Sequence, residues 1–157
     1  MSRAYTLRPA RPRDAAAMAR ILASWIDETP WFTSRAPKSA SRAAMAAYVR
    51  RAHVVVAQRR GLMRGLVGFG VRDGNALAAL YVARAARKQG VGRALLAKLA
   101  DGQEDLHLTS FAANAPARSF YRAMGCVELR QTAGDNEEGL PDVRLVLRAN
   151  PKRSPHG

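Results

Sequence analysis

Four cations, Arg84, Arg87, Lys88 and Arg93, surround two glycines, Gly90 and Gly92, in one short stretch. The run Ala79-Leu80-Tyr81-Val82-Ala83-Arg84-Ala85-Ala86-Arg87-Lys88-Gln89-Gly90-Val91-Gly92-Arg93-Ala94-Leu95-Leu96 reads as a strand, a basic loop, a Gly-x-Gly turn and the start of a helix. Glycines at a helix start clear side chains away, so that backbone N–H groups converge on one point. The helix N-terminus adds about half a positive charge there. The chemistry on offer is capture of a phosphate or pyrophosphate. No Gly-Lys-Ser/Thr follows, which excludes a Walker loop, and the third glycine of the dinucleotide fingerprint is missing. A tight turn with solvated charges is the plainer reading of the same residues.

A second stretch, Asn114-Ala115-Pro116-Ala117-Arg118-Ser119-Phe120-Tyr121-Arg122-Ala123-Met124-Gly125, sets Asn114 where a helix begins and Phe120–Tyr121 about two turns further on. Histidines and acids nowhere take metal spacing, so no metal is expected. His53 reads as a strand residue; His107 alternates with Leu106 and Leu108.

These residues need a frame, and periodicity supplies one. Tyr5–Arg8 forms a first strand, closed by Pro9 and Pro12. Asp14 caps a helix over Ala15–Trp25, with Met18, Ile21, Leu22 and Trp25 on one face; Ser41 caps a second over Arg42–Arg51. His53–Gln58, Leu62–Arg72 and Ala76–Val82 make an antiparallel meander, turned at Arg59-Arg60-Gly61 and Asp73-Gly74-Asn75. Gly68 and Gly70 inside that meander mark a bulge or a close backbone approach rather than a nucleotide loop. Gly92–Ala100 is helical, Asp105–Ser110 a strand, and Ala115–Met124 a helix stopped by Gly125. Cys126–Thr132 and Val143–Arg148 are the last strands, with a polar loop from Thr132 to Pro141 between them. The expected class is α/β (α+β): a mixed, mostly antiparallel sheet of about seven strands flanked by about four helices. One domain over residues 1–149 and a frayed tail over 150–157 are expected.

The two chemical stretches together resemble the GCN5-related N-acetyltransferases (GNAT). Arg87-Lys88-Gln89-Gly90-Val91-Gly92 is similar to that family's acyl-CoA pyrophosphate loop (Q/R-x-x-G-x-G/A), and Asn114-x-x-Ala117-x-x-Phe120-Tyr121-x-x-x-Gly125 to its next motif. The opening Leu7-Arg8-Pro9-Ala10-Arg11-Pro12-Arg13-Asp14 is also typical, and the element order agrees over roughly residues 4–148. The resemblance implies a GNAT fold with acetyl-CoA as cosubstrate. Backbone of Leu80, Tyr81 and Val82 would meet the pantetheine arm. The N–H groups of Gln89, Gly90, Val91, Gly92, Arg93 and Ala94 would hold the pyrophosphate, and Arg84, Arg87 or Lys88 the adenosine 3′-phosphate. Asn114, Ala117 and Phe120 would complete the cofactor contacts, and Tyr121 would protonate the leaving thiolate. In isolation Tyr121 would read as an amphipathic core residue.

An ammonium acceptor must first lose a proton, at about 4.6 kcal/mol at neutral pH for an ordinary lysine. Many relatives place a carboxylate on the strand before the loop. Here those positions hold Ala78 and Ala79, which leaves Asp73, Glu28, Glu138 or a water chain as substitutes. The segments Trp25–Phe32 and Glu137–Arg144 resemble acceptor-pocket segments in a bacterial branch of the family, and so nominate Glu28, Trp31, Glu138 and Asp142 as substrate contacts.

Composition bounds the rest. The chain has 157 residues with Lys+Arg 26 against Asp+Glu 12, a net charge of +14. Arginine supplies 22 of the 26 bases, scattered without a block, as GC-rich coding produces. The excess still leaves a nucleic-acid or ribosome-associated binding module as an alternative function, and Ala78 and Ala79 leave a non-catalytic acyl-CoA-binding protein as another. A single cysteine, Cys126, excludes an intrachain disulfide, and no apolar run has bilayer length. The first residues hold no signal-peptide core, so the cytoplasm is the expected compartment. A homodimer is common among relatives.

Overall fold

The computed structural model describes residues 4–32, 40–61, 64–101 and 104–149. It is a mixed seven-stranded sheet with four helices, in the α/β class, and its strands hydrogen-bond in the order β1-β2-β3-β4-β5-β7-β6. The chain packs as two compact units. One runs through Gly74 and resumes over Ala78–Leu99; the other comprises Asn75–Leu77 and the chain from Ala100 onward. The expected tail, 150–157, lies outside the described residues.

In the first unit β1 (Tyr5–Pro9) pairs antiparallel with β2 (His53–Arg59), and β2 with β3 (Leu66–Asp73). The turn at Gly74–Asn75 leads into β4 (Ala76–Val82). β3 begins at Leu66 instead of Leu62. β2 runs on to Arg59, whose N–H reaches Gly65 O at 2.9 Å, so the connection is wider than Arg59-Arg60-Gly61 alone. Leu62 and Met63 lie outside the described residues.

α1 (Ala15–Asp27) and α2 (Arg42–Arg51) bury Met18, Ile21, Leu22 and Met45 against Val54, Val56, Phe69 and Val71, which share one face of β2 and β3. Strand alternation turns Gly68 and Gly70 to the opposite face, where α3 (Val91–Ala100) lies. A Cβ on Gly70 would come within 2.5 Å of Leu99 Cδ1. One on Gly68 would come within 3.1 Å of both Tyr81 O and Val91 Cγ1. The glycines are therefore the close approach that the sequence suggested: they let a helix lie almost on the sheet backbone.

Ser41 caps α2 as expected, accepting the Ala44 N–H at 3.0 Å. Asp14 does not cap α1. It sits in a short 3-10 turn, Pro12–Asp14, and its carboxylate faces back. Arg8 grips both oxygens (2.8 and 2.9 Å) and the Arg11 N–H adds a bond at 2.7 Å. The forked guanidinium outcompetes the helix N–H groups, because charge-assisted paired bonds are the stronger ones. Burial opposes ionisation of Asp14. The Arg8 and Arg11 hydrogen bonds and the charges of Arg8 and Arg13 outweigh it and hold the carboxyl below its usual pKa.

In the second unit β5 (Leu106–Phe111) pairs in parallel with the start of β4, Ala76 with His107 and Leu77 with Leu108. β5 also pairs antiparallel with β7 (Asp142–Leu147), and β7 with β6 (Val127–Thr132). Leu106, Leu108, Val143 and Leu145 are buried, as are Tyr121 of α4 (Ala115–Ala123) and Cys126. β6 starts one residue after Cys126, whose N–H turns back to Tyr121 O at 2.9 Å.

Two outcomes are expected. Gly70→Val should destabilise the protein by about 1–3 kcal/mol through overpacking. Adding Leu99→Ala should return part of that loss, a coupling read from denaturant midpoints in a double-mutant cycle. Asp14→Asn should flatten the acid limb of the stability profile. The Asp14 carboxylate is more acidic in the folded chain, so its contribution is whole above the ordinary aspartate pKa and is lost as pH falls through the folded-state value. Equal acid sensitivity in the two proteins, by urea titration from pH 7 to pH 3, would refute this.

Candidate functional site

In the first unit the loop after β4 brings several cations to the start of α3. A 3-10 turn at Arg84–Ala86 leads to Arg87, then to Lys88 with φ +61° and Gly90 with φ +84°. Left-handed backbone costs a lysine roughly 1–2 kcal/mol and glycine almost nothing. The strain at Lys88 lets the chain reverse within four residues. The first helical bond of α3 runs from Ala94 N–H to Gly90 O (3.0 Å), which leaves the N–H groups of Val91, Gly92 and Arg93 outside the helical ladder. Arg84, Lys88, Gln89 and Arg93 are exposed around this end. The loop is pinned from below: the Tyr5 hydroxyl donates to Gly90 O at 3.2 Å, joining β1 to the turn. Gln89 Nε2 donates to Ala85 O at 3.1 Å.

Arg87 takes a role that its spacing did not show. Its Nε donates to Val82 O at 3.0 Å, and its Nη2 forms an ion pair with Glu28. Glu28 follows the last residue of α1, where the helix dipole disfavours an anion, and Arg87 supplies the compensating charge. The two residues nominated separately, one for cofactor and one for acceptor, thus hold each other at the C-terminal end of β4. Trp25, Trp31, Phe32 and Tyr81 form a cluster of edge-on rings beside them. Trp25 stands 5.8 Å from Trp31, 5.3 Å from Phe32 and 5.5 Å from Tyr81. Ala78 is exposed, and neither it nor Ala79 brings a carboxylate to the strand. Asp73 pairs with Arg51 at 2.9 Å in the turn where β4 begins. Seven strand residues span roughly 20 Å, so Asp73 lies far from the loop that follows β4.

In the second unit Asn114 begins α4, its side-chain oxygen accepting the Ala117 N–H at 3.2 Å. Phe120 and Tyr121 pack edge to face at 5.3 Å, and Tyr121 is 8% exposed. Asp142 is buried: one carboxylate oxygen takes the Thr132 hydroxyl, and the other accepts from Asn136 Nδ2 at 3.1 Å. Asn136 also donates to Leu140 O (2.6 Å) and accepts from the N–H groups of Glu138 and Leu140 (3.1 and 3.2 Å). One side chain therefore folds the loop that carries Glu138. The sequence signal was an Asn in a polar, Gly-containing loop, the usual seed of such a turn. Among the described residues no three of His, Cys, Asp or Glu could hold a metal ion. No described helix is long and apolar enough to cross a membrane.

Comparison with known proteins agrees with this fold. A sequence profile described as "Acetyltransferase (GNAT) domain" matches residues 50–128. Peptidyl-lysine N-acetyltransferase YiaC of Escherichia coli (strain K12) is 29% identical over 125 residues, covering 77% of this chain and 84% of that protein. A GCN5-related N-acetyltransferase structure from Rhodopseudomonas palustris superposes with a TM-score of 0.76 at 25% identity, covering 94% of this chain and 97% of that one. The structure of yncA from Salmonella typhimurium, a putative acetyltransferase solved with acetyl-CoA, gives 0.72 at 21% identity over 97% and 98% of the two chains.

Asn136→Ala removes four hydrogen bonds at once. It should cost about 1–3 kcal/mol and speed amide exchange at Glu138 and Leu140. Unchanged protection of those two amides would show that the loop is held by other means.

Proposed function

This chain belongs to the GNAT acetyltransferase family, and from that premise we propose that it moves an acetyl group from acetyl-CoA to an amine by direct attack. The observation that carries the reading is the end of α3. Three backbone N–H groups outside the helical ladder, with Arg84, Lys88 and Arg93 exposed around them, suit the pyrophosphate and 3′-phosphate of a coenzyme. The backbone of Leu80, Tyr81 and Val82 is the proposed rail for the pantetheine arm. Asn114, Ala117 and Phe120 are the remaining proposed contacts.

The neutral amine nitrogen forms its bond to the thioester carbon, the C–S bond breaks, the departing thiolate takes a proton from the Tyr121 hydroxyl, and the proton shed by the nitrogen restores the phenol. Burial of Tyr121 supports that role, since it keeps competing water away. Glu28, which follows α1 and is tied to the end of β4 through Arg87, is the proposed carboxylate for a cationic acceptor; Glu138 on the loop before β7 and Asp142, the first residue of β7, are further proposed contributors. Asp142 does so through its bonds to Thr132 and Asn136, as a residue that positions the loop. With alanine at 78 and 79, an acceptor amine of lowered pKa reduces the deprotonation cost. The name of the relative YiaC makes lysine side chains of peptides the first acceptors to screen.

Acetyl-CoA at one hundred times its dissociation constant should stabilise the protein by about 2.7 kcal/mol, and ATP, NAD and a short RNA should not. Tyr121→Phe should keep that stabilisation and lower kcat about 10²–10⁴-fold. A salt-sensitive shift with RNA and none with acetyl-CoA would replace the enzyme reading with the nucleic-acid one.

A further inference from the structure

One cross-strand row in the second unit runs Arg130–Arg144–Thr109. Arg130 of β6 is paired with Arg144 of β7, and Arg144 with Thr109 of β5. The pair stands directly after a register shift between Glu128 and Arg130, at which Leu129 is the extra residue. Arg130 and Arg144 are thereby cross-strand neighbours, and like charges so placed weaken a sheet unless a counter-charge joins them. The neighbouring acids are already engaged. Glu128 receives Arg118 (3.0 Å) and Arg122 (3.4 Å). Asp142 receives Thr132 and Asn136, and Asp105 receives Arg148 and the Ala149 N–H.

Among the described residues, the side chains of Arg130 and Arg144 make no ion pair or hydrogen bond. Arg144 Nε is also buried with no acceptor. Folded chains seldom leave a buried charged donor orphaned, and such a group calls for an explanation. Thr109 and Arg130 are exposed, so the row is reachable from solvent.

We propose that Arg130, Arg144 and Thr109 form an oxyanion site that takes a carboxylate or phosphate group of a small ligand. Such a group offers paired oxygens to a planar guanidinium fork, a match that a point charge lacks. The Arg144 Nε–H is then satisfied, the like charges share an anion, and the Thr109 hydroxyl supplies a third donor. The site uses none of the residues of the α3 loop and stands independently of the acetyl-transfer reading.

The test uses the intact protein at constant ionic strength held with sodium chloride. Inorganic phosphate and succinate are titrated in turn and followed by the arginine Nε–Hε NMR signals. A buried Nε–H exchanges slowly and is visible, and the Arg144 signal is identified by its disappearance in Arg144→Lys, which keeps the charge. The expected result is a saturable shift of that signal, with its midpoint raised at least fivefold in Arg130→Gln, a change at an exposed position. Earlier saturation by phosphate assigns a phosphorylated ligand; earlier saturation by succinate assigns a carboxylate. Thermal unfolding gives a second reading, since the rise in Tm with the anion should shrink in both variants. An Arg144 signal that moves with neither anion, or equally with chloride, overturns the proposal. So does a rise in Tm that survives unchanged in Arg144→Lys and Arg130→Gln, which would belong to the α3 loop.

Discussion

The first unit depends on how closely α3 approaches β3. Gly68 and Gly70 have no side chains, and α3 fills the space: Leu99 over Gly70, Val91 and Leu95 over Gly68. Val91 is the first residue of α3, so the same contact that packs the helix also sets the height of its N-terminus above the sheet. A methyl group at Gly68 would press on Val91 at that end, whereas one at Gly70 would press on Leu99 at the other end of the helix. Packing of α3 and the placement of its N-terminus are thus one constraint, met at Gly68.

Around that contact the charges are more ordered than a net +14 suggests. Arg8 locks the start of α1 through Asp14, and Arg87 joins the end of α1 to the end of β4 through Glu28 and Val82. On the second unit Arg118 and Arg122 converge on Glu128, and the Arg118 hydrogen bond holds that carboxyl below its usual range. The backbone N–H of Ala149, with Arg148, does the same for Asp105 beyond the end of β7. Among the described residues Asp14, Glu28, Asp73, Asp105 and Glu128 each pair with an arginine.

Much of the fold was legible because local signals and tertiary packing agreed. The alternation over Ala76–Val82 matched β4 at both ends, and Ser41 capped where hydroxyl caps do. The turn before α3 was legible for the same reason: the glycines and bases stand at a strand-to-helix junction, where their spacing put them. What the sequence hid were partnerships between distant residues. Asp14 looked like a cap until Arg8, six positions earlier, claimed both oxygens. Glu28 and Arg87 lie 59 positions apart, and nothing in either neighbourhood names the other. Asp142 reads as a loop acid in front of a strand, and only the fold shows that Thr132 and Asn136 have already engaged it.

The Tyr5 hydroxyl on Gly90 O joins residues 85 positions apart. In the order of synthesis Tyr5 comes first, and its partner follows only after β1 to β4 have been made. The loop before α3 is therefore finished late, by a residue made early, and closing so long a separation is a slow step in chain folding. A nascent chain halted before Gly90 carries most of the first unit's core without the start of α3. Phosphate capture at that helix end, as proposed above, would then report that β1 has found its place in the sheet.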